Sequence, residues 1–169
     1  TDSFRSPALE ELYNFGPHLG NLTFEIGDPK LRRERSHGFD VSLRQASNRV
    51  VGEANFFYYD IDDFVFLAPT GAVVDGLTEA RYSQGAARFL GTELKLYIGV
   101  NENLWFNLAL DSVDTKLRQS SLPLPRIPPF RATVGLDFRY AGLSIRPEIV
   151  MADARSDVFT TETPTAGYR

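Results

Sequence analysis

From Gly38 onward the chain repeats with a period of two, and the connections between the repeating segments alternate between short and long. Phe39, Val41 and Leu43 alternate with Asp40, Ser42 and Arg44. Val50, Ala54, Phe56 and Tyr58 share one face of the next segment, with Glu53 and Asn55 on the other. Leu90, Leu94, Leu96 and Ile98 oppose Glu93 and Lys95, and Leu104, Phe106, Leu108 and Leu110 oppose Asn107 and Asp111. Ala132, Val134, Leu136, Phe138 and Tyr140 then oppose Arg131, Asp137 and Arg139, and Leu143, Ile145, Ile149 and Met151 oppose Arg146 and Glu148. This spacing is that of strands with one apolar and one polar face.

The connections narrow the choice of architecture. Ser47-Asn48-Arg49, Val100 to Asn103 and Ala141-Gly142 are tight, whereas about Ala68 to Leu77, Gln119 to Pro129 and Arg155 to Thr165 are long. A membrane barrel has this rhythm, because strands cross the bilayer up and down between brief turns on one side and long loops on the other. Soluble sandwiches usually have shorter strands at closer spacing. The expected fold is therefore all-β, an antiparallel up-and-down transmembrane β-barrel segment of about six or seven strands from a larger barrel.

Composition agrees and removes other classes. The 13 Phe and 7 Tyr suit strands. A net charge of −4 offers no phosphate-binding surplus, so no nucleic-acid partner is expected, and Lys30 to Arg35, which contains Glu34, reads as a solvated segment. Cysteine is absent, which removes disulfides and thiolate metal sites. No apolar run approaches the roughly 18 residues of a spanning helix. Residues 1–35 read as an irregular outer-loop segment with a short helix from about Pro7 to Phe15, started by Ser6-Pro7 and stopped by Gly16-Pro17; 36–169 read as barrel strands and loops.

In such a barrel Glu53, Asn55, Glu93, Lys95, Asn107, Asp111, Arg131, Asp137, Arg139, Arg146 and Glu148 face the lumen, since charge facing lipid costs several kcal/mol near the bilayer centre. Catalytic signatures are missing: no phosphate loop, nucleophile elbow or cofactor motif occurs, so neither an enzyme nor a cofactor is expected. Glu93 with Asp111, or Asp111 with Asp114, reads as salt-bridge chemistry rather than a hydrolase pair. Asp60, Asp62 and Asp63 lack calcium-loop spacing. His18, with Glu11 and Glu25 near it in sequence, is the one candidate ligand-binding group, for metal capture in an outer loop.

Specific stretches point further. Phe4 to Tyr13 (FRSPALEELY), Phe15-Gly16-Pro17-His18, and Thr23 to Leu31 (TFEIGDPKL) with Glu34-Arg35-Ser36 resemble the barrel of TonB-dependent outer-membrane receptors. Asn55 to Phe64 resembles the aromatic strand that follows, Arg88 to Glu93 an "ArxxGxE" strand, and Leu124 to Arg131 a loop-to-strand entry. Together these cover nearly the whole chain, in the family's order. The resemblance implies a bacterial outer-membrane receptor that binds and imports a scarce nutrient such as a metal ion or metal chelate. Its implied partners are outer-membrane lipid, the rest of the barrel, a plug domain and, through the plug, the TonB complex. No plug, TonB-contacting box or closing aromatic strand is found in these residues, so a fragment is expected, with open edges prone to self-association. The alternatives are a soluble β-barrel or sandwich binding module, which would be monomeric without detergent, and a porin-like passive channel.

Overall fold

Turn chemistry sets the strand pairing in the computed structural model, which describes residues 1–160 and 162–169. Asp75 and Gly76 take φ of +51° and +79°, the left-handed pair that a two-residue hairpin requires. Val74 consequently pairs with Leu77, and the strands run on through a stretch expected to be a loop, Ala68 to Leu77. Ala141 and Gly142, at +46° and +85°, turn the chain so that Leu143 pairs with Tyr140.

The elements in chain order are β1 (Asp2–Arg5), α1 (Leu9–Tyr13), β2 (Phe15–His18), β3 (Thr23–Ile26), β4 (Glu34–Ala46), β5 (Val50–Val74), β6 (Leu77–Gly99), β7 (Leu104–Leu117), β8 (Arg131–Tyr140), β9 (Leu143–Ile145) and β10 (Glu148–Ala152). One sheet runs β1-β4-β5-β6-β7-β8-β10, and from β4 to β8 it is an antiparallel up-and-down meander. The β2–β3 hairpin joins it through β3, which pairs in parallel with β6 at Thr23↔Thr78 to Ile26↔Arg81. Helix α1 is shorter than Pro7 to Phe15. Its chain is drawn away at Asn14, whose carbonyl accepts from Gly27 N at 2.7 Å, and Phe15 enters the hairpin opposite Ile26.

The register aligns the sequence pattern across strands. Leu43, Ala54, Leu94, Leu110, Ala132 and Met151 form one row, and Leu96, Leu108, Val134 and Ile149 the next. Val41, Leu43 and Ile149 are 57%, 73% and 59% exposed, so no second layer covers this apolar face. On the opposite face Glu53 lies beside Lys95, and Asn55, Glu93, Asp111 and Arg131 form a polar row. Asn107, Asp137, Arg139 and Glu148 share that face by alternation, and Arg146 reaches Asp137 at 3.3 Å.

Two glycines on the polar face accommodate aromatic rings. Phe57 lies over Gly91, where a Cβ would stand 2.2 Å from the ring's Cζ, and Tyr59 lies over Gly38 in the same way. Each ring fills the space its cross-strand partner leaves open.

A bulge divides β5. Between the pairs Ile61↔Ala87 and Phe64↔Gly85 β5 carries one extra residue, with Asp63 at φ +55°. The extra residue exchanges the faces of β5 beyond it. Phe64 and Phe66 therefore turn to the side of Ala87 and Leu117. There Leu124 and Phe159, from the two long connections, close a small core with Phe89 and Ile127.

Gly91→Ala is expected to destabilise the folded protein by about 1–3 kcal/mol, because Phe57 must leave its seat. Gly20→Ala, whose added Cβ would meet His18 no closer than 3.8 Å, should be near neutral. Thermal unfolding midpoints in detergent compare the two.

Candidate functional site

The N-terminal segment gathers polar chemistry at the rim that carries the long connections. It leaves β1 at one edge, crosses the bulged part of β5 and β6, pairs with β6 through β3, and returns to β4. Two carboxylates hold the crossing. Glu34 accepts from Val65 N at 2.8 Å, taking the place of a neighbouring strand where β4 has ended. Arg5 donates to Glu34 at 2.6 and 2.8 Å and also to both oxygens of Glu11 at 3.0 and 3.1 Å. The Glu34 hydrogen bond first, then that of Glu11, raises the Arg5 guanidinium above its ordinary range against the effect of burial.

Glu25 is the second anchor and is 3% exposed. Its carboxylate accepts from Asn21 at 2.7 Å, Tyr82 at 3.0 Å and Thr23 at 3.1 Å, and His18 Nδ1 lies at 3.0 Å. Burial by itself would raise this carboxyl, but the hydrogen bonds from Asn21, Tyr82, Thr23 and His18 outweigh it and hold it below the usual range. Burial, followed by the bond to Glu25, pushes the Tyr82 hydroxyl well above the tyrosine range. Gln84 completes the seam, accepting from Arg32 N at 2.8 Å and donating to Arg32 O at 2.6 Å and Asp63 O at 2.7 Å.

Of the three residues singled out from sequence, the fold joins His18 to Glu25 and sends Glu11 elsewhere. Glu11 caps α1 by accepting from Ala8 N at 2.7 Å and is held by Arg5. The acidic trio is also dispersed. Tyr58 donates to Asp60, Arg32 holds Asp63, and Asp62 lies opposite Arg35. Among the described residues no group of three or more His, Asp or Glu side chains is arranged to hold a metal ion. On the polar face Glu53 pairs with Arg44 at 3.0 Å, Asp111 with Arg131 at 2.9 Å, and Asp137 with Arg139 at 2.6 Å. Asp114 falls on the other face from Asp111. Tyr82, Gln84, Arg5 and Glu34 were not singled out as a site. The Glu25–Tyr82 and Arg5–Glu34 partners stand 57 and 29 residues apart, beyond any local motif.

A cavity of about 720 Å³ opens beside the Glu25 cluster, between Asn21 and Thr23 on one side and Arg126 and Glu162 on the other. Arg126 spans it to Asn21.

Residues 1–168 match the family model described as TonB dependent receptor-like, beta-barrel. The chain belongs to that family. The family comprises outer-membrane receptors of Gram-negative bacteria, which are transporters rather than enzymes. Solved structures have the same fold. The copper transporter OprC superposes over 99% of this chain and 26% of its own, with TM-score 0.85 and 18% identity. The ferric enterobactin receptor PfeA of Pseudomonas aeruginosa, in complex with enterobactin, gives TM-score 0.69 at 14% identity over 99% of this chain and 28% of its own. The siderophore receptor PirA of the same organism gives 0.62 at 17% identity over 88% and 29%. The chain thus spans little more than a quarter of the length of these receptors.

Glu25→Gln should loosen the β2–β3 hairpin, because its amide nitrogen would face the donors of one carboxylate oxygen, either Tyr82 or Asn21 and Thr23, at a cost of about 1–3 kcal/mol. A carboxyl held below its ordinary value of 4.5 stabilises above that value, and the contribution is lost as pH falls through the folded-state pKa. Amide exchange of Thr23–Ile26 should therefore accelerate relative to the β7 amides in Glu25→Gln at about pH 7, and in the parent protein on acidification to about pH 3.5. Unchanged relative exchange in both would contradict the anchoring role.

Proposed function

We propose that the chain forms part of the barrel wall of an outer-membrane receptor that binds and imports a scarce nutrient, a metal ion or metal chelate. The apolar face supports this reading most directly. It continues row by row from β4 to β10 with no covering layer, while charge lies on the reverse side. A sheet of this kind is stable where lipid meets one face and water or protein the other. In this reading Glu53, Asn55, Glu93, Lys95, Asn107, Asp111, Arg131, Asp137, Arg139, Arg146 and Glu148 face the lumen, toward a plug domain through which the TonB complex supplies energy.

The loop rim faces the cell exterior, and His18 is the residue through which it meets the metal. His18 is about half exposed, and its Nδ1 lies against both the Glu25 carboxylate and the Asn21 side-chain amide. In the tautomer whose Nδ1–H donates to the carboxylate, the ring is fixed and Nε2 is left as a ligand, the arrangement found behind many metal-bound histidines. A single protein ligand suits a rim that samples a metal or its chelate before passage, with further ligands coming from water or the chelator.

Metal accumulation by cells producing the assembled receptor tests both parts. TonB-dependent uptake of zinc or copper, or of a ferric chelate, is expected, with half-saturation shifted roughly tenfold or more by His18→Ala and also by Glu25→Gln. Absence of TonB-dependent uptake for all three would overturn the transport reading. Uptake with an unchanged half-saturation in His18→Ala would overturn the role of His18 alone.

A further inference from the structure

The apolar face ends at the loop rim in a row of charge. His37, Asp60, Arg88 and Lys116 are paired directly across β4, β5, β6 and β7. They stand one outward-facing step beyond the row Phe39, Tyr58, Leu90 and Asp114, on the same side of the sheet. Arg118 lies one further step toward the rim, its backbone N–H donating to Ala86 O at 2.8 Å. In a membrane this is the depth at which apolar tails give way to headgroups.

Two features of the row point to an anion from outside the protein. Arg88 and Lys116 are directly opposite one another, and like charges so placed repel. The neighbouring carboxylates pair with the two arginines only at long range. Asp114 stays 3.9 Å from Arg88, Asp60 stays 3.6 Å from Arg118 while accepting from the Tyr58 hydroxyl at 2.8 Å, and Lys116 has no ion pair among the described residues. Arg88, Lys116 and Arg118 outnumber Asp60 and Asp114, and the guanidinium donors on this face are left open to a further acceptor.

We propose that Arg88, Lys116 and Arg118 form a seat for the phosphate of an outer-leaflet lipid headgroup, with the acyl chains lying against Leu90, Leu94 and the rows below. The inference rests on the membrane reading above, since it requires the apolar face to meet lipid. A phosphomonoester suits the site. Its oxygens accept from two guanidinium groups and an ammonium at once, and its charge relieves the Arg88–Lys116 repulsion. Juxtamembrane cations of this kind attract anionic headgroups generally, and the strand register concentrates three of them at one point.

The test is native mass spectrometry of the assembled receptor in a neutral detergent, with added phosphatidic acid, phosphatidylcholine or inorganic phosphate. The parent protein should retain phosphatidic acid at least about tenfold more strongly than phosphatidylcholine, and excess inorganic phosphate should leave the lipid bound. Arg88→Glu/Lys116→Glu should lose the preference while keeping its folded, heat-modifiable migration on gels, and Arg88→Gln/Lys116→Gln should reproduce the loss without reversing charge. Lys95→Glu, on the opposite face, should keep it. Equal retention of the two lipids by the parent protein, or a preference that survives both double variants, would overturn the seat and leave the membrane reading standing. A receptor that is a folded monomer without detergent would overturn both.

Discussion

A single-layer sheet with an uncovered apolar face depends on what meets that face. In a two-layer protein the rows from Leu43 to Met151 and from Leu96 to Ile149 would be buried beneath a second sheet or helices. Here they are presented outward, and the small core of Ala87, Leu117, Leu124 and Phe159 lies on the other side and only at the loop rim. Backbone pairing holds the strands to one another, but it does not remove the apolar face from water. The proposed reading gives lipid that role, and it accounts for the strict alternation, the length of β5 and β6, and the confinement of charge to the reverse face and the rim.

The rim is where the alternation is interrupted, and the interruption is structural. The extra residue at Asp62-Asp63 exchanges the faces of β5, so Phe64 and Phe66 turn toward the long connections. The N-terminal segment crosses the rim tied down by Glu34 at Val65 N and by Glu25 at Tyr82. Both carboxylates are buried and fully engaged, which is how a charged group is tolerated without bulk water. The polar groups that could be read as ligands from sequence are in this way mostly structural. His18, whose Nδ1 faces Glu25 while the ring stays half exposed, keeps a chemical freedom that Glu11 has lost to Arg5 and to the α1 cap.

Much of this was legible in the sequence because a period of two is a local signal. Each apolar position read from Phe39 to Met151 falls on the common face, and the tight turns at Ala141-Gly142 and Ser47 to Arg49 occur where they were expected. The family, too, was recognisable from ordered stretches such as FRSPALEELY. The end of β5 was misread because Pro69 and Gly71 look like loop residues. Register shifts between Pro69 and Val73 absorb them, and Asp75-Gly76 supplies the turn. The rim site was hidden for a different reason. Its bonds join residues from distant segments across a crossing that only the folded sheet defines, and the extent of that crossing could not be inferred from residues 1–35 taken alone.

The central claim is that lipid covers the face formed by Leu94, Leu96, Leu108 and Leu110. Nitroxide labels placed singly at 94 to 97 and 107 to 110 in the membrane-reconstituted receptor, read by collision with oxygen and with a water-soluble nickel complex, test it directly. The account predicts an alternation in which oxygen contact is high at Leu94, Leu96, Leu108 and Leu110 and low at Lys95, Tyr97, Asn107 and Ala109. An alternation of opposite phase, or none, would contradict it.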